Sequence, residues 1–151
     1  MTFYLKERLS SKLKSIINTP SVGVRAAIIN KQHQILLIKH TYREGWHMPG
    51  GGLAPGETPI QGISREVKEE TNLHIESAAV VSVLLNKWRS QHDYVILFKV
   101  IQFTGSPCIN DPSEILDFEW FNTNQLPEDI TINTRRRIEE IISGEPNNGH
   151  W

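Results

Sequence analysis

The stretch Trp46 to Leu73, WHMPGGGLAPGETPIQGISREVKEETNL, decides how the chain is read. It divides into a glycine-rich loop, Gly45 to Gly56, and a helix. Thr58 is a good N-cap, and Pro59 suits the first helical position, where a missing N–H costs nothing. The spacing predicts a helix to about Thr71, with Asn72 as a left-handed C-cap. At about 100° per residue, Ile60, Ile63 and Val67 form an apolar stripe, and Glu69, Glu66 and Glu70 lie beside it on an arc of about 100°. Three carboxylates on one arc repel one another, which raises their pKa values and costs stability. A hard divalent cation removes the conflict, because Mg²⁺ takes oxygen ligands from carboxylates, water and phosphate. Arg65 lies off the arc and is placed to pair with Glu57, tying loop to helix. Gly62, one turn before Glu66, keeps bulk away from that side. The run Pro49-Gly50-Gly51-Gly52 lets the backbone pass close to a ligand with amides or carbonyls exposed. Either feature alone is weak, since a Glu-rich helix is usually a solvated face. Together they make a candidate metal and phosphate site.

Working outward, Ser21 to Asn30 and Gln34 to His40 read as strands joined by the polar turn Lys31-Gln32-His33. After the helix, Ala78 to Leu85 and Tyr94 to Phe103 are β-rich segments around the polar connection Asn86 to Asp93. Gly105 to Pro112 reads as a loop, Phe118 to Phe121 as a short strand, and Thr134 to Ser143 as a last helix with one apolar side. Leu5, Leu9, Leu13, Ile16 and Ile17 recur at helical spacing, marking an amphipathic helix that docks on its own domain or, second, makes a dimer contact. This mixed order predicts an α+β fold, a mixed α/β/α sandwich. It comprises an N-terminal helical extension over 1–20, one domain over 21–144 and a frayed, disordered tail over 145–151.

A chain of 151 residues fits one domain with a core of its own. The formal net charge of -1 provides no whole-protein field for a polyanion or an anionic membrane. Phosphate binding must therefore come from local groups or metal ions. One cysteine, Cys108, excludes an internal disulfide. No apolar run suits a signal peptide or a membrane span, so a cytoplasmic protein is expected.

The run Gly51-x5-Glu57-x7-Arg65-Glu66-Val67-x-Glu69-Glu70-x-Asn72-Leu73 resembles the Nudix box, a loop–helix–loop signature. It departs from the family pattern at Asn72, where Gly is usual. Asn is the next-best residue for a left-handed helix terminus. The approach Trp46-x-x-Pro49-Gly50-Gly51, the two preceding strands and the later Glu119-Trp120-Phe121 also fit, so the likeness extends over Val22 to Ile142.

The resemblance implies a Nudix-type fold and a Mg²⁺ or Mn²⁺ ion held by Glu66, Glu69 and Glu70 with the carbonyl of Gly50. It also implies water attack on phosphorus of a diphosphate bond in a small nucleotide-like substrate, with Arg65 supporting the catalytic helix. The general base is Glu69 or Glu66 on the helix, or Glu114 in the loop before the last strand, where a mobile segment can close over the site. Candidate substrate contacts are Arg25 and Lys39 on the first two strands, Trp46 and Tyr42 beside the loop, and the backbone at Gly51. For these side chains, core packing or a solvated face is the competing reading. His40 and His47 read as packing or surface residues, and the run Arg135 to Arg137 as a solvated face. No nucleic acid or membrane partner is expected; a homodimer is, by analogy with relatives. The preferred substrate is a nucleoside diphosphate linked to a further moiety. The alternative is a non-catalytic nucleotide-sensing module of the same fold, whose expected mark is loss of the helix carboxylates. A third branch, the isopentenyl diphosphate isomerases, is expected to use a catalytic cysteine, and Cys108 lacks a matching local motif.

Overall fold

The computed structural model describes residues 19–88 and 91–151. The amphipathic helix expected over 1–20 lies, through residue 18, outside the described residues. In chain order the elements are β1 (Ser21–Ile28), β2 (Gln34–His40), β3 (Trp46–His47), β4 (Gly50–Gly52), α1 (Pro59–Thr71), β5 (His74–Trp88), β6 (Gln91–Thr104), β7 (Ile115–Asn122) and α2 (Ile132–Ser143). Strands β5 and β6 run further than expected and absorb most of the polar connection between them. Among the described residues no helix is long and apolar enough to cross a membrane.

The strands form two sheets. One has the order β4-β1-β6-β5, with β1 and β6 parallel and the other pairs antiparallel. The second has the order β3-β2-β7 and is antiparallel. A parallel pair needs a long crossover, and α1 with β5 supplies it. Strands β1 and β2 belong to different sheets: His33 turns the chain at φ 58, and the single bridge Ile29–Ile35 joins them.

Both sheet faces are covered. Val24, Ala26 and Ile28 of β1 and Leu36 of β2 pack with Ile63 and Val67 of α1. Ala27, Ile35 and Leu37 pack on the other side with Ile138 of α2. This is the α/β/α sandwich expected from the sequence. It explains why β2 reads as a continuous apolar run rather than an alternating one. The apolar stripe of α1 is narrower than expected, because Ile60 stays 43% exposed. Buried Gly62, Thr71 and Glu70 widen that face instead.

Two expectations are corrected at the C-terminus. The tail does not fray. The Leu85 N–H donates to the Gly149 carbonyl at 2.8 Å, and the Trp151 N–H donates to the Leu85 carbonyl at 3.0 Å. Trp151 packs on the second core cluster. Strand β5 is a sheet edge, and the tail supplies partners for its backbone at Leu85. Nor is the arginine run wholly solvated: Arg137 is buried and donates to the His150 carbonyl and, at 2.7 Å, to Glu140.

Candidate active site

Helix α1 is set by local chemistry at both ends. The Thr58 side chain accepts from the Gln61 N–H, and the Gln61 side chain accepts from the Thr58 N–H at 2.9 Å, a capping box. At the other end Asn72 adopts φ 64, and its N–H returns to the Lys68 carbonyl at 3.0 Å. The left-handed terminus is therefore made with Asn, as expected. Lys68 Nζ holds the Asn72 side chain at 2.7 Å.

The glycines bring loop and helix together. Gly50 has φ 147, and a Cβ there would overlap the Val24 carbonyl of the adjacent strand. A Cβ on Gly51 would stand 2.5 Å from a carboxylate oxygen of Glu66. The loop thus has room for the Glu66 head group only because residue 51 carries no side chain.

Arg65 ties this region together. Its Nε and Nη2 donate to the two carboxylate oxygens of Glu57 at 2.7 and 3.0 Å. Nη2 also reaches the Gly52 carbonyl at 3.2 Å. The pairing with Glu57 was expected from spacing. The sequence placed Arg65 off the glutamate arc, yet Nη1 donates to Glu66 at 2.7 Å and to Glu69 at 3.2 Å. A long guanidinium reaches across a turn of helix that a projection of Cα positions keeps apart. The bidentate bond holds the Glu57 carboxyl down at about 2. Arg65 in turn is raised above its ordinary value, first by Glu57.

Glu70 has a different environment. It is 3% exposed and accepts the Gly50 N–H at 2.7 Å. Burial, reinforced by Glu66 and Glu114 and opposed by the Gly50 N–H and Arg25, pushes its carboxyl up to about 8. Glu66 is also raised, chiefly by burial. The Glu69 side chain remains 58% exposed.

Beside Glu70 lie His40 and Glu114, and one donor atom from each of the three falls within 4.8 Å of the others. His40 Nε2 is 4.0 Å from Glu70, and the buried Nδ1 has no hydrogen-bond partner. Burial first, then His47, Arg43 and Arg25, lower the imidazole to about 3, so it is neutral at ordinary pH. Tyr42 and His47 wall the ring at centroid distances of 4.9 and 5.5 Å. His40, read from sequence as packing or surface, is buried and packed, and it also lies beside Glu70 and Glu114. The register of β2 against a helix thirty residues later brings it there, and no local pattern signals that. Glu114 ends the loop before β7, and that loop is hydrogen-bonded to α1 and to the end of β2. The Cys108 N–H donates to the Thr71 carbonyl at 3.0 Å and Asn110 Nδ2 to the Lys68 carbonyl at 3.0 Å. The Thr41 N–H donates to the Glu114 carbonyl at 2.9 Å.

Arg25 lies opposite Gly50 in the β1–β4 register and in the field of Glu70 and Glu66. Burial lowers its pKa from the usual guanidinium value. Lys39 and Trp46 are not brought into this group. Lys39 pairs with Asp129 at 2.7 Å and lies 4.8 Å above the Trp46 ring. Trp46 is 5% exposed and packs edge-on against Phe121 at 4.8 Å.

His40 of β2, Glu70 of α1 and Glu114 of the loop before β7 thus converge, with Glu66 and Glu69 held by Arg65 on the same helix. The donor set is that of a divalent cation: oxygen-rich, partly buried, with a neutral imidazole nitrogen lacking a partner.

Comparison with known proteins agrees with this geometry. The family profile described as NUDIX domain matches residues 19–141, well over half of the chain. A Bacillus subtilis (strain 168) protein provisionally named an 8-oxo-dGTP diphosphatase is 29% identical over 122 residues, covering 81% of this chain and 80% of its own length. The 8-oxo-dGDP phosphatase NUDT18 of Homo sapiens is 41% identical over 123 residues, 80% of this chain but 38% of its own length. Among solved structures, the MutT NUDIX hydrolase from Burkholderia pseudomallei superposes with a TM-score of 0.75 at 28% identity, covering 82% of this chain and 98% of that one.

Proposed function

Since the chain belongs to the Nudix family of pyrophosphohydrolases, acting on nucleotide-linked diphosphates, we propose that it cleaves the diphosphate bond of a nucleoside diphosphate linked to a further moiety, by water attack on phosphorus. The observation that carries this is the joint presence of Glu66, Glu69 and Glu70 on one helix with the Gly50–Gly52 loop folded against them. Loss of these helix carboxylates is the mark expected of a non-catalytic sensing module, and all three are present.

Glu66, Glu69 and Glu70, with the Gly50 carbonyl, are the residues that would hold Mg²⁺, or Mn²⁺ in its place. When bound, the cation neutralises phosphate charge and lowers the pKa of bound water. Around it the chain's own groups do the rest. Glu69, the most exposed of the three, takes the proton of the attacking water on its carboxylate. Glu66, gripped by Arg65 at 2.7 Å and seated against Gly51, stays oriented. Arg25, largely desolvated beside these carboxylates, offers its guanidinium to the diphosphate oxygens. Lys39 and Asp129 stand at the edge of Trp46, where a substrate's outer group can rest on the rim. With a formal charge of -1, a small molecule rather than a polyanion is the expected substrate, in the cytoplasm.

Two named relatives favour a second substrate class, the oxidised guanine nucleotides. A panel test covers both. The purified protein is incubated with Mg²⁺ and nucleotide sugars, ADP-ribose, dinucleoside polyphosphates, 8-oxo-dGTP and 8-oxo-dGDP, and products are separated. Glu69→Gln and Glu66→Gln serve as controls that keep shape and remove charge. Loss of the base should cost on the order of 10²–10⁴ in rate. Binding without turnover, with Mn²⁺ as well as Mg²⁺, would favour the sensing module.

A further inference from the structure

We propose that His40, Glu70 and Glu114 form an inner cation site that adds an imidazole nitrogen to carboxylate oxygens and takes a borderline first-row transition cation in preference to Mg²⁺. It builds on the assignment of Glu70 to cation binding above, and extends it to a donor that the loop and helix do not supply. One donor atom from each residue lies within 4.8 Å of the others. A cation with bonds of about 2.1 Å spans donors up to about 4.2 Å apart, so a few tenths of an ångström of side-chain movement closes the site.

His40 is the independent observation. Its ring is 4% exposed, its Nδ1 has no hydrogen-bond partner, and its Nε2 stands 4.0 Å from a Glu70 oxygen, beyond hydrogen-bond reach. A buried imidazole nitrogen without a hydrogen-bond partner is unusual, because buried polar groups are normally satisfied. An imidazole grouped with two carboxylates offers a cation a nitrogen lone pair beside their oxygens. Its neighbours also fix its place. Tyr42 and His47 pack against the ring, and Glu114 is delivered by a segment bonded to Thr41, the residue after His40. The preference follows from ligand softness. Mg²⁺ favours oxygen and gains little from imidazole, whereas later first-row ions bind it well.

The test is metal binding without nucleotide. Co²⁺ is titrated into the protein and followed by its visible absorption and by calorimetry, in wild type and His40→Gln, with Mg²⁺ affinity measured by competition. We expect Co²⁺ affinity to fall about tenfold or more in His40→Gln, the scale of disturbing a metal's ligand shell, while Mg²⁺ affinity changes less than about twofold. Equal Co²⁺ affinity in both proteins overturns the assignment. Pulsed EPR of Mn²⁺-loaded wild type needs no variant to fold: nitrogen coupling to the ion is expected, and its absence overturns the assignment. Coupling that survives in a folded His40→Gln overturns it too. The two readings fail separately. A protein that hydrolyses its substrate with Mg²⁺ but binds Co²⁺ without regard to His40 loses only the inner site. One that binds Co²⁺ through His40 but turns over no nucleotide loses only the catalytic assignment.

Discussion

Replacing Gly51 by alanine puts one methyl group against one carboxylate and asks what its position is worth. The added Cβ would lie 2.5 Å from Oε1 and 2.7 Å from Oε2 of Glu66, where ordinary contact begins at 3.4 Å. The Glu66 head group must therefore retreat by about 0.9 Å, the difference between 3.4 and 2.5 Å. A displacement of about 1 Å in a catalytic constellation can cost on the order of 10² in rate. The stability cost should be small. The obstructing atoms are the far end of a flexible side chain, and the pair they form with Arg65 is one-third exposed on the arginine side. Losing a pair of that kind costs about 1 kcal/mol at most. The variant should thus melt within about 5 °C of wild type and lose about a hundredfold in kcat at saturating metal. Glu66→Asp, shorter by one carbon–carbon bond of about 1.5 Å, should impair the wild-type loop yet fit the alanine loop better. The double variant should then be more active than the product of the two single losses predicts. Gly51→Ala with rate within about threefold of wild type, or a double variant showing no coupling, would falsify the claim that this glycine positions Glu66.

Three further outcomes are expected. Arg65→Lys keeps one charge but loses the fork that holds Glu57, Glu66 and Glu69, so kcat should fall about tenfold or more and stability by about 1 kcal/mol, read by steady-state kinetics and denaturant unfolding. The Glu57 carboxyl is held near 2 in the folded chain, below its ordinary 4.5. A depressed carboxyl stabilises above its unfolded pKa, so the stability advantage of wild type over Glu57→Gln should be full above pH 5, shrink as pH falls from about 4.5 towards 2, and vanish below that; pH-dependent denaturant midpoints read it. Trp151→Ala should lower stability by about 1–2 kcal/mol, since the ring is only half-buried against the core, and leave kcat within about twofold; an unchanged melting temperature would show that the tail is not docked.

What the sequence reveals follows the range over which each cause acts. The ends of α1 are set by neighbours. Thr58, Pro59, Gln61 and Asn72 each act within one turn, and the helix stands where their chemistry puts it. The Arg65–Glu57 pair spans eight residues on one loop and helix, and it too was legible. Contacts made across the sandwich were not. His40 meets Glu70 only because β2 ends beside α1, and Glu114 joins them through a loop bonded to Thr71 and Thr41. The parallel pairing of β1 with β6 leaves no mark in either strand beyond apolar character. One miss had a signal. Thr134, Arg137, Ile138 and Ile141 recur at helical spacing on α2, and all but Ile141 are buried, so Arg137 lies within the stripe that faces the core. Its place in a run of three arginines hid that position.

The same difference of range separates bond cleavage from recognition. Glu57, Arg65, Glu66, Glu69 and the glycines are coupled by short contacts within one contiguous segment. Arg25, His40 and Glu114 come from three other segments, and Lys39 with Trp46 and Asp129 from a further corner. Each of these depends on strand register or loop path, and each can change without disturbing the helix. A chain built this way can keep its diphosphate chemistry while its preferred metal and its substrate's outer group change independently. On the proposed function, substitutions that discriminate among substrates are expected at Lys39, Asp129 and Arg25, and those that stop the reaction on α1. Lys39→Ala should accordingly alter KM among substrates far more than kcat, because it removes a contact at the rim and none at the helix glutamates.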